Sequence, residues 1–146
     1  MYNTAVARKC YSPPSIMAVR VVRLGSPRTR GEGLRLGTVR RPPRGVKKTD
    51  YGKLDYYDLW MPELAPSEPL RAWITSKPIT PERWATFARR YRSEMRSPAT
   101  TRLIALLAAL SSYADFSVGC YCEDESQCHR SILRELLAEA GATVVS

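Results

Sequence analysis

The sequence predicts a three-layer α/β domain with a mostly parallel central sheet. Short runs rich in Val and Ile, typical of buried strands, alternate with amphipathic helical patterns. Residues 116–145 form a strand, helix, strand succession, which requires parallel strands joined by a right-handed crossover. A chain of 146 residues fits one such domain, which we place at residues 16–146 after an N-terminal extension of residues 1–15.

Four segments have the composition of strands. Ile16–Arg23 lies between a Pro-Pro pair and a glycine, and Leu34–Val39 is followed by two prolines that cannot continue a ladder. Phe116–Cys122 and Thr143–Val145 supply the last two strands. The aromatic and acidic segment Tyr51–Met61 has no clear assignment, and its rings could either stack a base or pack under a long loop.

Three helices have clear N-terminal signals. Ser67, Thr80 and Ser97 each stand one or two residues before a proline, which is the arrangement of an N-cap and a first helical turn. The helix after Thr80 should reach about residue 96 and bury Trp84, Phe87, Ala88 and Tyr91. The helix after Ser97 should face the core with Leu103, Leu106, Leu107 and Leu110.

The last helix should run from about His129 to Ala140 and end at Gly141 as the C-cap. The longest strongly apolar run of the chain, Leu103–Leu110, is too short to span a bilayer. Residues 1–15 contain no apolar core of a signal peptide. We therefore expect a cytoplasmic protein that does not bind membranes.

Positive charge is concentrated in the first third of the chain. The net charge is +9, and residues 8–48 hold nine Arg and three Lys against Glu32 alone. This distribution favours an anionic partner: a phosphorylated small molecule, a nucleotide or nucleic acid. A solvated cationic surface is the alternative. The composition is also thermophile-like, with 18 Arg and two side-chain amides. It assigns no cofactor and no oligomeric state.

Most of the chemically competent residues lie in one loop, Cys120-Tyr-Cys122-Glu-Asp-Glu-Ser-Gln-Cys128-His129-Arg130. This loop leaves the carboxyl end of one predicted strand, and Arg40–Arg44 leaves the carboxyl end of another. If these strands are parallel, both loops lie on the same rim of the sheet, where ligands of such sheets bind. We expect an anion to bind there to Arg40, Arg44 and Arg130, and chemistry to come from Cys122, Cys128 and His129.

The cysteines permit several chemistries. A phosphatase-like cradle needs five residues between Cys and Arg, whereas seven separate Cys122 from Arg130, which argues against it. Cys128 at a helix N-terminus beside a guanidinium should have a lowered pKa and react as a thiolate. Glu123 would then orient His129 or act as a base.

Three alternatives remain open. One is a disulfide between Cys122 and Cys128, acceptable in an intracellular protein of a thermophile. A single metal ion has potential ligands in the loop, but not the usual pair of C-x₂₋₄-C knuckles, so no metal ligand is assigned. In the last alternative the cysteines are small buried hydrophobes, and His129 and Arg130 only tie the loop to the sheet.

The loop, with Cys120-x-Cys122-Glu123 and Cys128-His129-Arg130 between a strand and a helix, resembles the signature of the domain of unknown function 488. Further motifs resemble its short YeaO-like members: Gly33-Leu34-Arg35, Pro43-Arg44-Gly45-Val46, Leu70-Arg71-Ala72-Trp73 and Trp84-x-x-Phe87. The resemblance covers about residues 16–141. Where such members usually have Asp-Arg-x-Trp-Pro-Arg-Gly, this chain has Val39 to Gly45 without the acid and the tryptophan. The resemblance implies Rossmann-like or flavodoxin-like layering and no established activity.

Three functions follow from these observations. The first is an enzyme or binding domain for a phosphate-bearing ligand, with both loops at its site. The second is a non-catalytic nucleic-acid-binding module that uses residues 8–48 and Arg89–Arg96. The third is a structural role in which the cysteines are inert or disulfide-bonded.

Overall fold

The computed structural model describes residues 16–145, and the predicted extension 1–15 lies outside the described residues. The chain adopts a Rossmann-like three-layer α/β fold around a five-stranded, entirely parallel sheet of strand order β3-β2-β4-β1-β5. The strands are β1 (Val19–Arg23), β2 (Leu34–Gly37), β3 (Leu59–Trp60), β4 (Phe116–Cys120) and β5 (Val144–Val145). The strand, helix, strand unit at the C-terminus is parallel as predicted, and β1 lies between its two strands.

Four α-helices follow the predicted order: α1 (Glu68–Thr75), α2 (Pro81–Glu94), α3 (Pro98–Leu110) and α4 (His129–Glu139). The hydroxyls of Ser67, Thr80 and Ser97 accept hydrogen bonds from the N–H groups of the first turns, which confirms the three N-caps. Gly141 has a φ of +96° just beyond α4, as a C-terminal glycine requires. No helix among residues 16–145 is both long and apolar enough to cross a bilayer.

All four helices pack on one face of the sheet. Their buried side chains form a single core with the strand residues that point to that face: Val19, Val21, Leu36, Phe116 and Val118. Topology explains this arrangement, because the helical connections from β3 to β4 and from β4 to β5 run in the same direction across the sheet. Right-handed crossovers in one direction place their helices on one side.

The third layer consists of loops 24–33 and 38–58 on the opposite face. Arg35 of β2 is fully buried there and forms an ion pair with Glu32 at 2.9 Å. Its guanidinium also donates to the carbonyl oxygens of Ser26 and Asp55. Gly37 has no side chain on this face, so the Tyr57 ring packs directly on the strand. The unassigned segment 51–61 is therefore part of this layer, and it ends in the edge strand β3.

The predicted apolar face of α3 was right for Leu107 and wrong for Leu106 and Leu110. Leu106 and Leu110 are 60% and 40% exposed, and the helix buries Ile104 and Ala108 together with Leu107. Leu103 is half-buried against the core. Apolar side chains occur on nearly every side of this helix, so its periodicity did not distinguish one stripe from the next. The face of α2 was predicted better: Phe87 and Tyr91 are buried, and its other two predicted residues pack half-buried against the core.

Candidate functional site

The two loops identified in the sequence line one cavity at the carboxyl ends of β2 and β4. These strands are hydrogen-bonded neighbours, so the loops that leave them start side by side. The cavity has a volume of about 580 Å³. Its lining residues are Val39–Arg44, Tyr56, Pro66, Arg71, Ile74, Thr75, Ile79, Phe87, Cys120–Cys122 and Gln127–His129. The predicted meeting of the two loops on one rim is therefore a feature of the fold.

The cavity is lined by four arginines and by no acidic residue. Arg40 is half-buried and donates to the carbonyl oxygens of Ala65 and Pro66 at 3.2 Å each. Arg41 and Arg71 both pair with the carboxylate of Glu68. Arg44 is exposed and makes no hydrogen bond or ion pair with another residue of the described range 16–145. The rim of the cavity thus carries an excess of positive charge.

The structure places Arg130 behind the cavity, not in its lining. Its side chain is 4% exposed, and one amino group lies within hydrogen-bond distance of the carbonyl oxygens of Val22 and Cys120. The other donates to the carbonyl oxygen of Glu123 at 3.4 Å. Arg130 therefore ties the end of the sheet to the cysteine loop. Both of its amino groups donate to main-chain carbonyls, whereas its buried Nε atom has no hydrogen-bond partner among the described residues. Direct binding of the anion by Arg130 stays a prediction.

The three cysteines of the loop and His129 form a compact cluster in the wall of the cavity. All three thiols are free, and those of Cys120 and Cys128 are buried whereas Cys122 is exposed. The sulfur atoms of Cys120 and Cys122 are 3.8 Å apart. The sulfur of Cys128 lies 3.9 Å from Nδ1 of His129. The ligating atoms of Cys120, Cys128 and His129 all lie within 4.8 Å of one another.

The surroundings of Cys122 lower the pKa of its thiol. Hydrogen bonds from the thiols of Cys120 and Cys128, together with the positive field of Arg130, lower the pKa of Cys122 to about 2. Its neighbours show the opposite effect: interaction with Cys122 raises the pKa of Cys120 to about 11, and the pKa of Cys128 is raised by both other cysteines. This direction is opposite to the lowered pKa that the sequence predicts for Cys128, because its buried sulfur lies beside two other thiols.

His129 is buried between β2 and α2. Its Nε2 atom lies 2.7 Å from the carbonyl oxygen of Thr38, and its ring makes an edge contact with the ring of Tyr91. Burial lowers the pKa of His129 to about 4, so the imidazole is neutral at physiological pH. A carbonyl oxygen can only accept a hydrogen bond. Nε2 therefore carries the proton, and Nδ1 faces Cys128 without one.

The two glutamates of the loop point away from His129. Glu123 is exposed and accepts a hydrogen bond from Arg23 at 3.3 Å. Glu125 pairs with Arg134 of α4. The structure gives Glu123 no contact with His129, so the predicted supporting role of this carboxylate has no geometric basis among the described residues.

Sequence reasoning missed Thr38 and several other residues of the site. Thr38 follows β2 directly and supplies the carbonyl that orients His129, but a main-chain acceptor leaves no signal in a sequence. Ile74 and Phe87 line the cavity from α1 and α2. The helical pattern predicted burial of Phe87, and only the packing of these helices over the strand ends brings both residues to the site.

The fold and the site define a class: a Rossmann-like α/β domain with a Cys₃His cluster in the wall of a cationic cavity at the carboxyl edge of its sheet. The chain belongs to the DUF488 family, because the profile of the active DUF488-N3 subclade, DUF488-N3a, matches residues 19–141. This match confirms the resemblance seen in the sequence motifs. The match extends from the first strand to Gly141 and includes both loops of the site. No curated protein and no solved structure showed significant similarity to the chain.

Proposed function

We propose that the chain is an enzyme or binding domain for a phosphate-bearing ligand of nucleotide size, which binds in the cavity between the two loops. One observation carries the proposal: the arginine-rich loop after β2 and the Cys/His loop after β4 line the same cavity. In open parallel sheets, ligands bind beyond the carboxyl ends of the strands.

The charges of the lining favour an anion. Four arginines and no acid line the cavity, and the single carboxylate that pairs with two of them, Glu68, lies outside the lining. Arg44 needs no rearrangement to bind a phosphate, because its guanidinium makes no contact with an acid of the described chain. Arg40 is held by two carbonyls and supplies a second, positioned guanidinium.

The remaining lining favours a ligand with an apolar, planar part. Ile74, Ile79 and Phe87 give the cavity an apolar wall, and the lining tyrosines Tyr56 and Tyr121 form an edge-to-face pair. The volume of about 580 Å³ lies within the range of small-molecule sites. A nucleotide would place its phosphate on the arginines and its base against the apolar wall.

The reacting part of the ligand would lie against the cysteine cluster. Cys122 is the exposed member, whereas Cys128 and His129 are buried behind it. Ligand contact would therefore fall on Cys122, with the other two holding the cluster in place. The description of the matching subclade as active is consistent with a site that performs chemistry.

Calorimetric titration of a ligand panel tests this function. The panel contains nucleosides, their mono-, di- and triphosphates, inorganic phosphate and a short single-stranded oligonucleotide. We expect binding that requires phosphate, and at least about tenfold weaker binding after Arg44→Ala, because a charge-assisted hydrogen bond contributes about 1.5–3 kcal/mol. Arg102→Ala is the matched control, since Arg102 is an exposed arginine of α3 outside the lining.

Two outcomes would contradict the proposal. Equal affinity for a nucleoside and its phosphates would show that the arginines do not select the ligand. Equal loss of affinity in Arg44→Ala and Arg102→Ala would show that any binding arises from the general positive charge. Binding of the oligonucleotide alone, weakened only by Arg44→Ala, would identify a nucleic-acid end as the ligand in the cavity.

A further inference from the structure

We propose that the sulfur atoms of Cys120, Cys122 and Cys128 and the Nδ1 atom of His129 form a binding site for one Zn²⁺ ion. Thiolate and imidazole are the ligands that Zn²⁺ prefers, and four of them make a complete tetrahedral set. The proposal does not depend on the ligand of the cavity, because the fold itself groups Cys120, Cys128 and His129 and places Cys122 beside Cys120.

The distances within the cluster match a tetrahedral site. With Zn–S bonds of about 2.3 Å and Zn–N bonds of about 2.0 Å, two sulfurs of one site are about 3.8 Å apart and a sulfur and a nitrogen about 3.5 Å apart. The Cys120–Cys122 sulfur distance is 3.8 Å, and the distance from the sulfur of Cys128 to Nδ1 of His129 is 3.9 Å. The ligating atoms of Cys120, Cys128 and His129 lie within 4.8 Å of one another, so shifts of about 1 Å bring these three to bonding distance of one ion. The sulfur of Cys122, which lies next to that of Cys120, must move towards the other two to complete the set.

His129 already has the orientation of a metal ligand. Its Nε2–H donates to the carbonyl oxygen of Thr38 at 2.7 Å, which leaves Nδ1 unprotonated on the side of the sulfurs. Metal-bound histidines usually donate their second N–H to a carbonyl or carboxylate, which fixes the ring and its tautomer. The hydroxyl of Thr38 donates to the carbonyl oxygen of Gly119, so the acceptor itself is held on the neighbouring strand.

Among the described residues, the sulfur of Cys128 makes hydrogen-bonding contacts only with other members of the cluster. Cys128 is the N-cap residue of α4, yet its side chain makes no capping hydrogen bond. It is 2% exposed and points inward to Cys120 and His129. Three of the four proposed ligands are thus shielded from water, and Cys122 closes the fourth position from the cavity side.

The sequence spacing hid this site. A usual zinc site has two pairs of ligands in separate knuckles, whereas here the pattern is C-x-C-x₅-C-H. The first pair lies at the end of β4, where residues 120 and 122 are close enough for both sulfurs to approach one point. The second pair straddles the start of α4, and only the loop between them determines that the pairs meet.

The test uses the unmodified chain. After purification without chelators, metal is quantified by mass spectrometry, and a chelated sample is titrated with Co²⁺ as a spectroscopic substitute for Zn²⁺. We expect one ion per chain, thiolate-to-cobalt charge-transfer absorption in the near ultraviolet, and the intense visible bands of tetrahedral Co²⁺. Absence of bound metal together with a Co²⁺ spectrum typical of octahedral oxygen ligation would overturn the proposal.

Variants locate the ion. Cys120→Ser and Cys128→Ser should each lose at least about a third of the charge-transfer absorption, because each removes one of three thiolates, whereas Cys10→Ser, which changes the fourth cysteine of the chain, should retain it in full. Retention in Cys120→Ser and Cys128→Ser would refute the assignment of ligands. If these variants do not fold, thiol counting on the unmodified chain decides: Zn²⁺ should protect three of four thiols from a thiol reagent, and equal reactivity with and without Zn²⁺ would refute the site.

Discussion

At the residue scale, two glycines with nearly the same backbone conformation have different surroundings. Gly31 and Gly33 have φ angles of +79° and +75°, but a Cβ atom on Gly31 would meet nothing, whereas one on Gly33 would overlap the carbonyl of Asp115. We expect Gly31→Ala to cost about 1 kcal/mol of unfolding free energy for its left-handed backbone, and Gly33→Ala about 3 kcal/mol or more. Urea denaturation measures both. Equal losses would mean that the contact with Asp115 relaxes without cost.

The same scale predicts an order of reactivity for the thiols. In chelated, folded protein, iodoacetamide should modify Cys122 before Cys120 and Cys128, because only Cys122 is exposed. Peptide mass spectrometry at successive times follows each site, and urea-denatured protein, in which burial is lost, is the control. Modification of Cys128 at the rate of Cys122 in the folded state would show that the loop opens readily.

At the element scale, α3 offers a matched pair of leucines. Leu107 is 4% exposed and Leu106 is 60% exposed, one position apart on the same helix. Leu107→Ala should cost about 2–5 kcal/mol through lost burial and the cavity it leaves, whereas Leu106→Ala should stay within about 0.5 kcal/mol. Thermal and urea unfolding measure the difference. A loss at Leu106 as large as that at Leu107 would restore the face that the periodicity indicated.

Asp58 links the loop layer to the sheet and makes that link dependent on pH. Burial opposes its ionisation, but hydrogen bonds from Arg28 and from the N–H group of Arg35 outweigh burial and hold the pKa of Asp58 below its usual 3.8. The stabilisation is therefore fully present above the usual pKa and is lost as pH falls through the lower pKa of the folded state.

Asp58→Asn tests this link. At pH 7 it should lower the unfolding free energy by about 1–2 kcal/mol, and the difference from the unmodified chain should shrink below about pH 4. Glu63→Gln is the control, since Glu63 is exposed and forms no ion pair within residues 16–145. A difference that stays constant down to pH 2 would show that the charge of Asp58 is not responsible.

At the scale of the whole molecule, the fold neutralises much of the basic charge that the sequence concentrates in its first third. Arg35 pairs with Glu32, and Arg28 pairs with Asp58. In the basic segment Arg89–Arg96, Arg92 pairs with two glutamates of α4. Arg90 lies over the ring of Trp73. The exposed arginines that form neither an ion pair nor such a ring contact among residues 16–145 are distributed over different segments: Arg30, Arg44, Arg89, Arg96 and Arg102.

We therefore expect weak binding to duplex DNA, with a shallow dependence on salt. The slope of log K against log salt should correspond to about three phosphate contacts or fewer, measured by fluorescence anisotropy at several salt concentrations. The double variant Arg89→Ala, Arg96→Ala should change this slope little. A steep slope that corresponds to six or more contacts, indifferent to DNA sequence, would favour the nucleic-acid-binding module over the cavity proposal.

Much of the fold followed from local signals. Three hydroxyl N-caps next to prolines, Gly141 after α4 and the Val-rich strands predicted elements that the structure confirms, because caps and strand runs depend on neighbours in the sequence. The face of α3 and the role of segment 51–61 were not predictable in this way. Both depend on which distant surface covers them, and the chain offers apolar groups on more than one side.

The candidate site also combines features that local sequence predicts with features that depend on tertiary contacts. The sequence by itself determined that β2 and β4 end in an arginine-rich loop and a Cys/His loop, since residue type and strand pattern are local properties. Only the tertiary structure decided that these strands are neighbours, that Arg130 binds carbonyls, and that Cys128 and His129 meet Cys120. Some of these contacts join residues that are far apart in the chain, and others depend on which side chains point into the protein. Both are determined by the packing of the complete sheet and helices.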